Sequence, residues 1–234
     1  MGEPIRTVMI TGAAGNLGHS VARAFNADGV NLVLVDLQRA ALEAKFGTEN
    51  SHRIFLPTNL LEASQVEAAV TAAIDRFGRI DVLCNLAGGF RMGEPVHETT
   101  DATWDFLFDL NARTLLHAVR AVAPRMIHGG GGKIVNVGAA AANKGAALMG
   151  AYGAAKDVVI RLTEAMAAEL RDKNINVNCV LPSIIDTPEN RAAMPDADPS
   201  RWVAPDDLAN AIVFLASDAA RAIRGAALPV TGLS

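Results

Sequence analysis

Tyr152 is the only tyrosine in the chain, and Lys156 follows four residues later in "YGAAK". On a helix that spacing puts both side chains on one face, one turn apart. An ammonium beside a phenol favours tyrosinate and draws the phenol pKa toward working pH. Such a phenol can give or take a proton while a nicotinamide moves hydride. A second set of residues suits phosphate. In "VMITGAAGNLGHSVARAF", Gly12, Gly15 and Gly18 stand between an apolar run and a helical stretch. Gly12 permits a tight turn, Gly15 lets backbone amides approach a pyrophosphate, and Gly18 lets the helix pack on a sheet. Those amides and the helix N-terminus attract anionic phosphates. "NLVLVD" then ends in Asp36. A carboxylate there can accept from both ribose hydroxyls of NAD and repels the 2′-phosphate of NADP. Leu37 follows it, with no adjacent Arg, so NAD is favoured. Arg39 is near enough to keep NADP as the lesser alternative, and a helix cap is the other role open to Asp36.

Elements with the right periodicity flank these residues. Short apolar, β-branched runs at 5–10, 31–35, 53–56, 80–85, 133–137, 175–181 and 227–230 read as buried strands. Stretches with helical periodicity lie at 17–27, 38–45, 62–77, 101–126, 151–171 and 205–215. Strand alternating with helix means βαβ units and right-handed crossovers. The expected fold is α/β: one Rossmann-type domain over 1–234, a doubly wound parallel sheet of about seven strands with helices on both faces. "HGGGGK" at 128–133 fits a turn before a strand. The irregular segment 186–204 follows a strand's carboxyl end, where such folds bind ligands, and is a candidate substrate lid.

Composition narrows the function classes. Half of the 234 residues are hydrophobic and 20% charged, which excludes a disordered chain or a disulfide-stapled miniprotein. The net charge is −4 and there is no basic run, so neither nucleic acid nor an anionic membrane is an expected partner. Cys84 and Cys179 sit in apolar runs and read as buried thiols of a reduced compartment. "MGEPIRTVMITG" resembles no signal peptide or myristoylation site, and no stretch approaches the ~18 apolar residues of a membrane span. A cytoplasmic enzyme with a small-molecule substrate is expected. His19, His52, His97, His117 and His128 are scattered without paired ligand spacing, so no metal is expected. Helical stretches 101–126 and 151–171 are apolar or Ala-rich around much of their circumference, which predicts a homodimer or homotetramer.

Across nearly its whole length the chain resembles the short-chain dehydrogenase/reductase family. The matching pieces stand in family order: "TGAAGNLG" at 11–18, "NLAG" at 85–88, Asn111 in "DLNA", "KIVNV" at 133–137, "YGAAK" at 152–156 and "LPSIIDTP" at 181–188. The resemblance implies that Tyr152 is the acid/base, that Lys156 binds nicotinamide ribose and lowers the Tyr152 pKa, and that Asn111 holds a water of the proton relay. It also implies cofactor contacts from Gly12, Gly15, Asn16, Leu17 and Gly18, from Asn59 and Leu60, from Asn85, Ala87 and Gly88, and from Pro182, Ile185 and Thr187.

The chain departs from that pattern in places. Gly15 and Asn16 shift the usual glycine spacing, Asn59 stands where an Asp usually meets adenine, and Leu86 and Ser183 replace an Asn and a Gly. The largest departure is Ala139, at the position of the family's catalytic Ser, thirteen residues before Tyr152. Residues 138–151, "GAAAANKGAALMGA", hold neither Ser nor Thr. Losing one such donor typically costs about 10²–10³ in rate. One branch of the family, dihydropteridine reductase, resembles the chain further, in "CNLAGGF", "GAAAA", "MGAYGAAK" and "VLPSIIDTPENRAAMPDADPSRW". That branch also lacks the serine, and its conjugated pterin acceptor needs less polarisation. Three readings stand: a reductase of that type with NADH, a reductase or dehydrogenase of a ketone, alcohol or 3-oxoacyl thioester, and a non-catalytic NAD-binding protein.

Overall fold

The computed structural model describes residues 5–27 and 29–234. The reading of the first four residues therefore lies outside the described ones. Seven strands form a single sheet: β1 (Thr7–Thr11), β2 (Asn31–Asp36), β3 (Arg53–Pro57), β4 (Val82–Asn85), β5 (Gly132–Val137), β6 (Ile175–Pro182) and β7 (Ala227–Val230). Their order is β3-β2-β1-β4-β5-β6-β7, and every neighbouring pair is parallel. The expected doubly wound sheet is present.

Alternate residues of each strand feed two cores, which is why the strands read as unbroken apolar runs. Met9, Val33, Leu83 and Ile134 pack against α3 (Ala63–Phe77), α5 (Thr114–His128) and α6 (Gly150–Glu169). Val8, Ile10, Leu34 and Val135 pack on the other face against α1 (Asn16–Asn26), α2 (Arg39–Phe46) and α8 (Pro205–Leu215). Both cysteines are free and buried.

Two expectations are corrected. The single helix expected at 101–126 is α4 (Asp101–Phe108), a π turn over Asp109–Arg113, then α5. A side chain within the π turn explains it, as described below. The segment 186–204 is not irregular throughout. It contains α7 (Pro188–Ala193), capped by the Thr187 hydroxyl, and a 3₁₀ turn over Pro199–Arg201. Pro at the first turn of α7 is preset for that helix start.

Folding also assembles charge that the sequence keeps apart. Arg6, Arg79, Lys133, Arg221 and Arg224 meet Asp81 and Asp218 around a cavity of about 610 Å³ at the amino ends of the strands. No basic run announces this cluster, because its members come from four separate segments.

Candidate active site

The strand order reverses between β1 and β4, and the loops leaving their carboxyl ends open a crevice there. Gly12 has φ +66, and a Cβ on it would lie 2.9 Å from the Ala87 nitrogen. The turn after β1 thus rests directly on the turn after β4. Thr11 ties the two: its hydroxyl accepts from the Leu86 and Ala87 amides at 3.1 and 3.3 Å. A Cβ on Gly18 would collide with the Gly12 carbonyl, so helix α1 packs on its own entry loop only as glycine.

A cavity of about 680 Å³ opens over these turns. Gly12, Gly15, Asn16, Leu17 and Gly18 form its floor, Asp36, Asn59 and Leu60 one wall, and Ala87, Gly88 and Thr187 the other. Gly15 is the N-cap of α1 and has no side chain to occupy the first-turn amides. Those donors are left for a ligand. Asp36 accepts from the Ala14 amide at 2.9 Å and the Leu37 amide at 2.8 Å. A carboxylate has about four acceptor sites, so capacity remains. Asp36 is not a helix cap, since α2 has Gln38 in that place. The set could hold a dinucleotide: amides for phosphates, a carboxylate for ribose, and glycines where side chains would intrude.

Asn85, Pro182 and Ile185 stand back from this cavity. Asn85 is buried and donates to Asn136 Oδ1 at 2.9 Å. Pro182 ends β6, and Ile185 bridges to Val203. Leu110, Thr114 and Thr58 line the cavity and were not expected from sequence. The π turn shifts Leu110 and Thr114 out of ordinary helical register and hides them. Asn16 also donates to Glu189 Oε2 at 2.7 Å, joining the glycine-rich loop to α7.

Asn111 is 2% exposed. Its Nδ2 donates to the Leu107 carbonyl at 2.9 Å and the Gly89 carbonyl at 3.0 Å, and its Oδ1 accepts from the Gly89 amide at 3.1 Å. The side chain takes a carbonyl of its own helix, which opens the helix into the π turn. A Cβ on Gly88 would lie 2.8 Å from Asn111 Oδ1 and 3.2 Å from Lys156 Nζ. Gly88 thus lets Asn111 and Lys156 close on the same point. Lys156 is buried on α6 and donates to the Val137 carbonyl at 3.0 Å. Tyr152 lies one turn earlier, edge-on to Phe90 with ring centroids 4.8 Å apart. Ala139 is buried where β5 ends, and the following residues pack on α6 beside Gly153.

The electrostatics differ from the expectation. Burial pushes the Tyr152 phenol up to about 12 and the Lys156 ammonium down to about 8. Desolvation is the leading cause of both shifts, and the ammonium donates to the Val137 carbonyl. Burial also raises both thiols, Cys179 to about 11.

Lys156 therefore leaves a signature in stability. Below pH 8 it is charged in folded and unfolded chains alike, and folding bears the full desolvation cost. Between about 8 and 10.5 only the unfolded chain keeps the proton, so this group makes stability rise with pH. The buried thiols act oppositely above pH 9 and Tyr152 above pH 10, since the folded chain holds protons that the unfolded one has lost. The difference in urea stability between wild type and Lys156→Met isolates the lysine. It should shift in favour of wild type from pH 8 to 10, by at most ~3 kcal/mol. A difference independent of pH would refute the depressed ammonium.

Comparison with known proteins agrees with this architecture. Residues 6–198 match the short chain dehydrogenase family. D-threitol dehydrogenase of Mycolicibacterium smegmatis is 34% identical over 240 residues, covering 97% of this chain and 92% of the relative. Galactitol 2-dehydrogenase of Agrobacterium fabrum is 30% identical, covering 91% and 90%. The crystal structure of carveol dehydrogenase from Mycobacterium avium in complex with NAD gives a TM-score of 0.89 at 26% identity, covering 98% and 97%. With the family matched over most of its length, the chain belongs to the short chain dehydrogenase family and is an oxidoreductase.

Proposed function

We propose that this oxidoreductase uses NAD(H), with Tyr152 as its acid/base, to reduce an acceptor that needs no serine hydroxyl, as in dihydropteridine reductase. The observation that carries this reading is Ala139: buried, beside α6, in a loop without Ser or Thr. A nicotinamide, when bound, supplies hydride. The chain's own residues do the rest. Tyr152 holds the proton on its hydroxyl. Lys156 holds ribose, and the proton returns by way of Lys156 and a water held at Asn111. Gly12, Gly15, Asn16, Leu17 and Gly18 bind phosphate; Asp36, Asn59 and Leu60 bind the adenosine half; Ala87, Gly88, Pro182, Ile185 and Thr187 border the nicotinamide half, with Asn85 behind them. Segment 186–204 serves as a lid, latched to the glycine-rich loop through Glu189 and Asn16.

NAD is the preferred cofactor. Asp36 fronts the cavity, and Arg39 is turned elsewhere: it donates to the Phe55 carbonyl at 3.2 Å and pairs with Glu43 and Glu49. A second reading, an alcohol or polyol dehydrogenase, is favoured by the named activities of the relatives.

Calorimetric titration should find NADH bound at least about tenfold more tightly than NADPH, or ~1.4 kcal/mol. Equal affinities would end the argument from Asp36. In turnover, Tyr152→Phe should remove most activity and keep NADH affinity. Ala139→Ser should raise reduction of simple ketones or 3-oxoacyl thioesters by about tenfold or more, because a hydroxyl then stabilises alkoxide charge. Dihydropterin turnover should stay within a few-fold. A wild type already efficient on simple ketones, and indifferent to Ala139→Ser, would favour the second reading.

The assembly we propose is a homodimer or homotetramer built on α4, α5 and α6, in the cytoplasm. Trp104, Phe106, Leu116 and Ile127 are exposed apolar side chains on α4 and α5. Among the described residues, no helix is long and apolar enough to cross a membrane. Light scattering at micromolar concentration should give at least twice the 24.5 kDa chain mass. A monomeric mass would sink this assignment.

A further inference from the structure

We infer that the cavity at the amino ends of the strands is a second ligand site, apart from the crevice over the glycine-rich turn, and that it takes a small polyanion bearing adjacent phosphate groups. Its volume of about 610 Å³ suits a small molecule. Arg6 stands just before β1, Arg79 before β4, Lys133 on β5, and Arg221 and Arg224 before β7. Among the described residues, only two carboxylates line the cavity with these five cations, Asp81 and Asp218.

Both carboxylates are already engaged. Asp81 accepts from Arg79 Nε at 2.7 Å and from the Thr7 amide at 2.8 Å. Asp218 lies 3.4 Å from Lys133 Nζ. Three guanidinium charges are left over. Arg6 and Arg224 are half-buried, and each donates to one backbone carbonyl, Ala216 at 2.8 Å and Ile175 at 3.0 Å. A carbonyl orients a guanidinium without cancelling its charge, and most of the five donors stay free. The Arg221 side chain is exposed and makes no hydrogen bond or ion pair among the described residues.

The segment carrying two of these arginines is pinned to the sheet. Asn176 on β6 is buried, and its Nδ2 reaches the Ala220, Arg221 and Ile223 carbonyls at 3.3, 2.9 and 3.0 Å. Asn178, two residues on, donates to the Ile223 carbonyl and accepts from the Ala226 amide, both at 2.9 Å. Two buried amides thus fix the turn that sets Arg221 and Arg224 at the cavity. Gly129, Gly130, Gly131 and Gly132 line another side and put no side chain into the space. A Cβ on Gly131 would strike Asn174. Arginine forks take phosphate oxygens two at a time. One carboxylate would answer one fork, whereas adjacent phosphates offer charged oxygens to all three. The glycine-rich turn lies at the far end of β1, roughly 16 Å away, so a ligand here leaves the cofactor crevice open.

Equilibrium dialysis with radiolabelled inorganic pyrophosphate tests this. The protein is saturated with its reduced nicotinamide cofactor, which fills the other phosphate site, and ionic strength is held fixed. One pyrophosphate per chain should bind, about tenfold more tightly than orthophosphate. Arg221→Gln removes an exposed side chain without partners, so cofactor affinity and urea stability should stay as in wild type. Pyrophosphate affinity should fall by about tenfold or more, and likewise in Arg224→Gln. Arg161→Gln on α6, which removes the same charge elsewhere, should leave it unchanged. Failure of pyrophosphate to bind the saturated protein would overturn the inference. So would an equal loss in Arg161→Gln, which marks a general charge effect. Displacement of pyrophosphate by added cofactor would place the anion in the glycine-rich crevice and sink the second site.

Discussion

The turn after β4 is the part on which the site depends, and one amide side chain holds it. Asn111 grips the Gly89 peptide from both sides, accepting from its N–H and donating to its carbonyl. Thr11 grips the same turn two and three residues earlier. Between these grips lies Gly88, where a Cβ would strike Asn111 and crowd Lys156. A buried amide side chain demands partners, and here it finds them in a peptide that the strand order has brought to the crevice. The cost is local: α4 and α5 do not join as one regular helix. The gain is that three elements meet at one point without a side chain between them.

Behind that point runs a buried polar ladder. Asn85 donates to Asn136, Asn136 to the Thr163 hydroxyl, and Thr163 to the Val159 carbonyl within α6. Each donor has a defined acceptor, so the ladder fixes the amide orientations and sets α6 against β4 and β5. Within the ladder, Asn85 Oδ1 is left buried without a partner. The ladder matters because α6 carries both Tyr152 and Lys156, and their height above the sheet is set where Thr163 meets Asn136.

The parallel sheet was legible because buried strands are unbroken apolar runs and helices between them keep a 3.6 period. Asp36 was legible because strand ends and glycine turns place it by spacing alone. The π turn was not, since Asn111 leaves a helical pattern intact in sequence while its side chain rearranges the backbone. The capped helix α7 was hidden by its Pro-rich surroundings. The basic cluster around Lys133 was invisible for another reason: contacts between segments far apart leave no local pattern. The fall in the Lys156 pKa and the rise in the Tyr152 pKa follow from burial depth, which a one-turn spacing does not report.

Burial also bears on which way the proton moves. A phenol pushed up to about 12 keeps its proton at ordinary pH, and an ammonium brought down to about 8 is poised to exchange one. Left to themselves the two groups favour a site that donates. Reduction needs a donor, whereas oxidation of an alcohol needs tyrosinate. To act as a base, Tyr152 would need positive charge nearby, and the Lys156 ammonium donates to the Val137 carbonyl. Phe90 packs against the phenol at 89°, with ring centroids 4.8 Å apart. The absent serine then fits the same logic. On the proposed reading, a buried phenol that keeps its proton and a loop over 138–151 without Ser or Thr suit an acceptor that delocalises charge and asks only for a proton.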